Sequence, residues 1–552
     1  MLYRAFATVG GLTLISRLLG FVRDILIAAT LGSGAVADAF FVAFRFPNLF
    51  RRLFGEGAFN AAFVPLFAKR LAGHHRSDGN QSTGQEPPLA EFAEAPAKGF
   101  AGAPAKRFAE ESMAVLGAAL IVLSTNAILT MPWLMYALAP GFSADPAKYK
   151  LAVELSQIAF PYLFCMSIVA LLSGVLNALQ RYWAAAAAPI LLNVVLISAL
   201  TTSLWNGYGE TADAGYILAM AVTAAGIVQL VMLWIAVRQT GLKLAIRWPR
   251  YTPDVKRLVE LGIPGVISGG ITQINIVIGT IIASMQAGAV SFLYYADRLY
   301  QLPLGIVGIA IGVVLLPELS RQLTSGDRVK ALDTQNRSME FALLLTLPAA
   351  VALGLAATPI ISVLFERGAF EASDTAATAQ ALAAFSIGLP AFVLIKVLQP
   401  AFFAREDTKT PMRFAGVNLV VNVIGSLGLF IAFQHLGWMP HVGIALATSI
   451  AAWVNTVLLW GALVRNGDFL LDARLARNLP FIILASLAMG AALVFALPYL
   501  AHYLEQSQSL LIRIAALGVM VVGGAGIFFL LTALLGVLRP SMLRRAARAP
   551  PA

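Results

Sequence analysis

Several basic side chains lie inside long apolar stretches of this sequence, where charge is unusual. They are Arg17, Arg23, Arg45, Arg51, Arg52, Arg298, Lys396 and Arg513. An arginine at the centre of a bilayer costs about 2.5–3.5 kcal/mol on insertion scales. Such a set therefore needs acidic partners, an aqueous cavity or an anionic ligand. Guanidinium groups donate paired hydrogen bonds that match the oxygens of phosphate, so phosphate is the ligand chemistry they favour.

The acids in the same stretches are fewer than the arginines. Asp24, Asp38, Glu56 and Asp297 could each neutralise one cation. On a straight helix Asp38, Arg45, Arg52 and Glu56 share one face, and Arg52 and Glu56 are spaced to pair. One interpretation is that ion pairs hold the helices together. The arginines left over favour the other interpretation, an anionic ligand.

The first two apolar stretches position most of these cations. Ser16 and Arg23 share a face of the first, as do Arg17 and Asp24, and Gly20 between them could let the helix bend. Arg51 points away from the face of Arg52 unless Pro47 kinks the second helix. Lys396 could line the same cavity or extend to a membrane interface, and Arg513 is expected at an interface.

The composition predicts an all-α integral membrane protein. Of 552 residues, 59% are hydrophobic and 12% charged, against about 25% charged in soluble domains. Apolar stretches of about 20 residues, the length of a spanning helix, recur along the chain. We predict about fourteen spans, at 6–31, 37–66, 109–138, 152–179, 184–205, 214–237, 259–284, 291–320, 338–365, 375–404, 414–433, 443–464, 480–501 and 510–537.

The basic residues predict the orientation. With the N-terminus in the cytoplasm, 28 of the 39 Lys and Arg side chains fall in cytoplasmic segments, and only Lys148, Lys150 and Arg367 fall in the opposite loops. This asymmetry follows the positive-inside rule and predicts that both termini are cytoplasmic. It also accounts for the net charge of +11 without a nucleic-acid partner.

An internal repeat divides the chain. Gly34-Ala35-Val36 resembles Gly288-Ala289-Val290, 254 positions later (288 − 34), and further landmarks recur at about 224. The repeat predicts two six-helix pseudo-symmetric lobes plus two extra C-terminal helices. The domains are an N-lobe at 1–238 with a disordered cytoplasmic insertion at 72–107, an interfacial linker at 239–257, a C-lobe at 258–465, and a final pair with a basic tail at 466–552.

Other classes of protein lack support. The acids are scattered rather than clustered as a membrane transferase would need, and no nucleotide-binding or nucleophile motif is present. Cys165 is the single cysteine, and the histidines lack metal-ligand spacing. We therefore expect a transporter, not an enzyme, without a metal or other cofactor. A small-cation antiporter would need an acidic cavity rather than this basic one.

Four stretches resemble the MurJ (MviN) family of lipid II flippases, in the multidrug/oligosaccharidyl-lipid/polysaccharide (MOP) exporter superfamily. They are SRLLGFVRD (16–24), ADAFFVAFRFPNLFRRLFGEGAFNAAFVP (37–65), YYADRLYQLPLGIVGIAIGVVLLP (294–317) and FFAREDTKTP (402–411). The resemblance covers nearly the whole chain except the insertion. It implies a bacterial inner-membrane protein that moves the lipid-linked peptidoglycan precursor from the cytoplasmic to the periplasmic leaflet by alternating access.

The resemblance also implies roles for residues. Arg17, Arg23, Arg51 and Arg298 match essential cations, Ser16 and Asp38 match the cavity motif, and the last two helices would form a groove for the undecaprenyl tail. Lipid II and membrane lipids are the implied partners, with the peptidoglycan synthesis machinery as a further one. Coupling to the membrane potential or a monovalent cation stays open. Asn275, Asn418, Asn422 and Thr448 are candidate neighbours for such a cation, or simply pack between helices. The alternative substrate is another lipid-linked oligosaccharide.

Overall fold

The computed structural model describes residues 2–55, 58–73 and 103–538, and its regular structure there is helical. This confirms the all-α prediction. Glu56, the 74–102 part of the predicted insertion and the basic tail after 538 lie outside the described residues. The chain divides into two compact units, Met1–Val277 and Ile278–Ala552. The division falls inside a helix rather than in the predicted linker.

The first unit is built from nine helices and the start of a tenth within the described residues. They are α1 (Leu2–Leu31), α2 (Ala35–Gly55), α3 (Ala58–Gly73), α4 (Ala103–Leu129), α5 (Met131–Leu138), α6 (Pro146–Ala159), α7 (Tyr162–Ala178), α8 (Tyr182–Trp205), α9 (Ala212–Gln239) and α10 (Pro253–Ala283), with a short 3-10 turn at Pro140–Ala144.

The second unit continues with longer helices. They are α11 (Ala289–Thr324), α12 (Arg328–Leu355), α13 (Ala357–Phe365), α14 (Ala372–Phe403), α15 (Lys409–His435), α16 (Pro440–Arg465), α17 (Ala473–Leu504) and α18 (Leu510–Leu534). The final pair, α17 and α18, packs on α12 and α13. At Gly490 a side chain would stand 2.6 Å from Val351, which shows how closely α17 approaches α12.

Ten membrane-crossing candidates, long and apolar enough, occur among the described residues. They correspond to ten of the fourteen predicted spans. The other four predictions fall on α1, α2 with α3, α10 and α11, which are helical and include most of the charged positions. The class of helical membrane protein is therefore confirmed, while the count of fourteen stays a prediction.

Three predicted spans are interrupted. The spans at 109–138 and 338–365 each end in a short separate helix, because the chain turns at Thr130 and at Ala356. The span at 152–179 starts earlier, at Pro146, and breaks at Phe160–Pro161, where proline removes a helical hydrogen bond. Hydropathy measures apolar length, so it does not detect a change of direction between two apolar segments.

The repeat is visible in the backbone. The breaks at Thr130 and Ala356 fall at equivalent places in the two halves. Gln180 and Glu406, which are not glycine, both adopt a positive φ, at 57° and 61°. Each residue lies in the turn before the fifth long helix of its half. Such a backbone is uncommon for a non-glycine residue, so its recurrence supports the predicted pseudo-symmetry.

Two boundaries differ from the sequence prediction. Residues 103–107, placed in the disordered insertion, begin α4, where Arg107 pairs with Glu111 one turn later at 2.8 Å. Residues 253–257, placed in the linker, form the first turn of α10, with Pro253 at the start. Proline fits the first turn of a helix, and ion pairs four residues apart stabilise one.

Candidate functional site

Arg23 lies at the centre of a polar cluster on α1. Its side chain is buried, and Nη2 lies 2.7 Å from Asp24 Oδ1. Nη1 donates to Asn193 Oδ1 on α8 at 2.9 Å. Sequence analysis paired Asp24 with the face of Arg17, yet the structure brings Asp24 onto its neighbour Arg23. The guanidinium is thereby held in one orientation by two helices.

Asn193 also fixes the backbone of α1. Its amide nitrogen donates to the carbonyl of Ser16 at 2.9 Å. A Cβ added at Gly20 would lie 3.6 Å from the same amide, in ordinary van der Waals contact, so α1 and Asn193 pack closely here. Ser16, Gly20 and Arg23 thus lie on the face that meets α8, whereas Arg17 is exposed. The shared face predicted for Ser16 and Arg23 is the one the structure uses.

Asp38 is fully buried in the first turn of α2 and accepts from Lys148. Lys148 Nζ lies 2.6 Å from Asp38 Oδ2 and 4.2 Å from the centre of the Phe142 ring. A carboxylate near a helix N-terminus also gains from the helix dipole. We expected Asp38 to bind substrate. In the structure its carboxylate is paired with Lys148, and its role in substrate binding stays a prediction.

The sequence analysis missed Lys148 because it placed the residue in a loop. The residue lies in the first turn of α6, whose start is capped by Asp145 and carries Pro146 at its first position. An Asp-Pro pair before an apolar run is a recognisable helix start. Applied at Asp145, that signal would have extended the span by six residues and moved Lys148 out of the loop.

The remaining cations of the second helix are only partly described. Arg45 is half-buried on α2. The side chains of Arg51 and Arg52, and all of Glu56, lie outside the described residues, so the Arg52–Glu56 pair stays a prediction. The same holds for the choice of Arg51 over Arg52 as the substrate ligand.

In the second unit, Arg298 is held by an aromatic neighbour. Its Nη2 donates to the hydroxyl of Tyr294 at 2.9 Å, and its guanidinium carbon lies 4.6 Å from the centre of that ring. Asp297 accepts from Gln301, one turn further along α11. An arginine over an aromatic face keeps its charge while its orientation is restricted.

Lys396 is exposed on α14 although its sequence neighbours are buried. The stem of Lys396 runs past Gly308 of α11, where an added side chain would meet its Cγ at 3.8 Å. The two interpretations of this lysine, in a cavity or at an interface, both stay open. What the structure adds is that its stem packs along α11.

Arg513 is held by α13. We expected it at a membrane interface, which stays a prediction; in the structure it is 6% exposed, and its Nη2 donates to Ser362 O and Oγ, both at 3.0 Å. It therefore satisfies a carbonyl near the end of α13, a favourable place for a cation. In the following loop, burial and the charge of Arg513 lower the pKa of Arg367. Arg513 thus attaches α18 to α13.

The polar residues considered for a cation are uncharged. Asn422 Oδ1 accepts from Thr448 at 3.2 Å and from Ser426 at 3.3 Å, which joins α15 and α16. Across the described ranges, no group of three or more His, Cys, Asp or Glu residues could hold a metal ion. The Asn422 cluster accordingly accounts for helix packing, and cation binding there is untested.

The sequence model described as "Lipid II flippase MurJ" matches residues 27–514. The chain belongs to the MurJ family. A protein of Rhizobium tropici named "Probable lipid II flippase MurJ" is 47% identical, covering 99% of this chain and 96% of its own. The "Lipid II flippase MurJ" of Burkholderia cenocepacia is 34% identical, covering 85% of each.

Solved structures agree on the fold. "Lipid II flippase MurJ, inward closed conformation" matches with a TM-score of 0.72 at 24% identity, covering 95% of this chain and 98% of the other. An inward-facing MATE multidrug transporter of the MOP superfamily matches with a TM-score of 0.62 at 14% identity, covering 82% of this chain and 95% of its own. The family match and the ten apolar helices identify a multi-pass membrane protein of the MurJ family, and the solved structures share its fold.

Proposed function

We propose that this chain is a lipid II flippase of the bacterial inner membrane. Its substrate is undecaprenyl-diphosphate linked to the peptidoglycan disaccharide peptide, and it moves from the cytoplasmic to the periplasmic leaflet. The curated relatives carry this activity in their names. Both termini are cytoplasmic in this proposal, because that orientation places most Lys and Arg side chains inside.

The observation that supports the substrate class is the pair of oriented arginines on α1 and α11. Arg23 is fixed by Asp24 and Asn193, and Arg298 is fixed by Tyr294. Guanidinium groups held in place lose little freedom when they bind phosphate oxygens. A diphosphate is therefore the part of lipid II that these side chains fit.

Alternating access suits a substrate of this kind. The sugar–peptide head is too polar for hydrocarbon, so it needs an aqueous cavity open to one side at a time. The polyprenyl tail can stay in lipid, and we propose that it lies along α17 and α18. Leu511, Val522 and Leu534 of α18 are exposed apolar side chains suited to such contact. The membrane potential or a monovalent cation would drive the cycle.

Arg298 is the best residue for the test. The resident flippase of a bacterium is depleted, this chain is supplied, and periplasmic access to newly made lipid II is measured. We expect wild type to restore access and Arg298→Gln to lower the transport rate about 10- to 100-fold, the value of one or two hydrogen bonds to a charged group. Arg17→Gln should act in the same direction.

The control is Lys409→Gln, which removes an exposed cation at the start of α15. It should transport at the wild-type rate. If well-expressed wild type restored nothing, the lipid II assignment would be wrong. The same assay with another lipid-linked oligosaccharide would then examine the alternative. Equal rates for wild type and Arg298→Gln would remove the arginine from the mechanism.

A further inference from the structure

The segment between α9 and α10 is extended, and side chains of α4 bind it along one side. Ala245 N donates to Glu110 Oε1 at 2.8 Å, and Arg247 pairs with the other oxygen of the same carboxylate. Thr252 donates to Glu111 at 2.9 Å. Glu110 and Glu111 belong to the buried start of α4. The course of this segment, residues 240–252, is therefore fixed by side chains of α4.

The two faces of the segment differ in chemistry. Leu242 and Leu244 point inward and are buried, whereas Ile246 is 88% and Trp248 86% exposed. Tyr251 is also exposed. A soluble protein rarely displays such residues together on a fixed loop. Trp and Tyr are enriched where a membrane meets water, because their rings are apolar with one polar atom.

Cations flank these apolar side chains. Lys243, Arg250 and Lys256 are exposed, and none of them forms an ion pair with another described residue. The acid in this stretch, Asp254, is already occupied by Arg70 at 2.5 Å. The local charge is therefore positive, next to the end of a helix apolar enough to cross a bilayer.

We propose that residues 243–256 bind anionic phospholipid headgroups of the adjoining leaflet. Ile246, Trp248 and Tyr251 enter the headgroup region, and Lys243, Arg250 and Lys256 contact lipid phosphates. Each basic residue near an anionic surface contributes about 1 kcal/mol, roughly fivefold in binding. The proposal needs only that α9 crosses the bilayer. That the leaflet is cytoplasmic rests on the orientation proposed above.

The equivalent segment of the second half provides a matched control. It follows α16 and is bound in the same way, since Asn336 donates to Leu470 O at 2.9 Å and accepts from Asp472 N at 3.2 Å. Leu470 is exposed there. Asp468 pairs with Arg405, and Asp472 pairs with Arg337. Residues 466–472 therefore have apolar exposure and contain no Lys or Arg, with the exposed Arg465 and Arg477 on either side.

The experiment places an environment-sensitive fluorophore at either position. Trp248→Cys or Leu470→Cys is made in the full-length chain with Cys165→Ala, labelled, and reconstituted in vesicles of phosphatidylcholine with or without phosphatidylglycerol. Quenching by brominated lipid is measured at low and high salt. At position 248 we expect stronger quenching with phosphatidylglycerol, weakened by salt. At position 470, where the segment itself carries no Lys or Arg, we expect a weaker dependence on phosphatidylglycerol than at position 248.

Removing Lys243 and Arg250 together, as Lys243→Gln and Arg250→Gln, should reduce the phosphatidylglycerol dependence at 248 by about 25-fold if both contribute fully. Quenching that is the same in neutral and anionic vesicles would overturn the proposal, as would no quenching at all. If Cys165→Ala prevents folding, quenching of intrinsic fluorescence in wild type and Trp248→Phe gives the same comparison. Flipping is not the readout, so failure here leaves the proposed flippase activity untouched.

Discussion

The two halves of the repeat place different chemistry at the same position. In the first half, the residue four positions after Gly34 is Asp38, buried against Lys148. In the second half, the residue four positions after Gly288 is Phe292, whose ring lies 5.1 Å from that of His441. The contact of α2 is an ion pair, and the contact of α11, the corresponding helix of the second half, is aromatic.

The same contrast holds along the helices that precede these positions. α1 carries Arg17, Arg23 and Asp24, whereas α10 has no charged residue after Glu260. The backbone pattern, including the paired turns at Gln180 and Glu406, is shared. The two halves therefore share a backbone pattern but differ in the charged side chains that it carries, and Arg298 is the second-half cation proposed to bind substrate.

The largest expected effect comes from breaking the ion pair of the first half. Lys148→Met leaves the Asp38 carboxylate buried without its cation, and we expect a loss of about 3–5 kcal/mol in the free energy of unfolding. Adding Asp38→Asn makes the pair neutral, as in the second half, and should recover most of that loss. Thermal unfolding in detergent checks both variants. A double variant as unstable as the single one would contradict the pairing.

A smaller effect is expected at Asn193. Asn193→Ala removes the amide that orients Arg23 and binds the carbonyl of Ser16. The loss of a hydrogen bond to a charged group is worth about 1.5–3 kcal/mol. We expect a large fall in the transport rate and only a small fall in the unfolding temperature. Asn206→Ala, which removes an exposed side chain at the end of the same helix, is the control and should change neither.

The halves also pack their fourth and sixth spans differently. In the first, Gly226 of α9 faces Tyr162. In the second, Gly388 of α14 faces Ser449, with an added Cβ standing 2.8 Å from the Ser449 Cα atom. Gly388→Ala should destabilise the protein by about 1–3 kcal/mol through overpacking. Gly428→Ala, which meets nothing within 4 Å, should be neutral or slightly stabilising in an unfolding assay.

The smallest effect concerns the turns with positive φ. Arg405, beside Glu406, lies 3.1 Å from Asp468, whereas Arg181, beside Gln180, is exposed. Arg405→Gln should lower the free energy of unfolding by at most about 1 kcal/mol, and less at high salt. Arg181→Gln should have no measurable effect. Equal losses for the two variants would mean that the pair contributes nothing.

The class of fold could be predicted from the sequence because membrane helices are defined by a local property, apolar length. The repeat was equally visible, since landmarks such as Gly34 and Gly288 recur in order. The breaks at Thr130 and Ala356 were not predicted, because apolar residues continue across both. The direction of a helix within a membrane depends on how it packs against other helices, which cannot be predicted from the composition of one segment.

The surplus of arginine directed attention to Arg23 and Arg298, which the structure places on α1 and α11. Their role in substrate binding stays a prediction. Their partners Asn193 and Tyr294 were missed, because neutral polar side chains are common in such helices and carry no charge signal. The partner of Arg513 was also missed, because Ser362 of α13 offers a neutral carbonyl and hydroxyl.

The position of Asp24 next to Arg23 has a consequence for biosynthesis. The two charges are adjacent in sequence, so they can neutralise each other as soon as α1 leaves the ribosome. Asp38 depends instead on a lysine 110 residues further along, which does not yet exist when α2 is made. The ion pair of α1 can therefore form early, whereas that of α2 can form only after α6 has been synthesised.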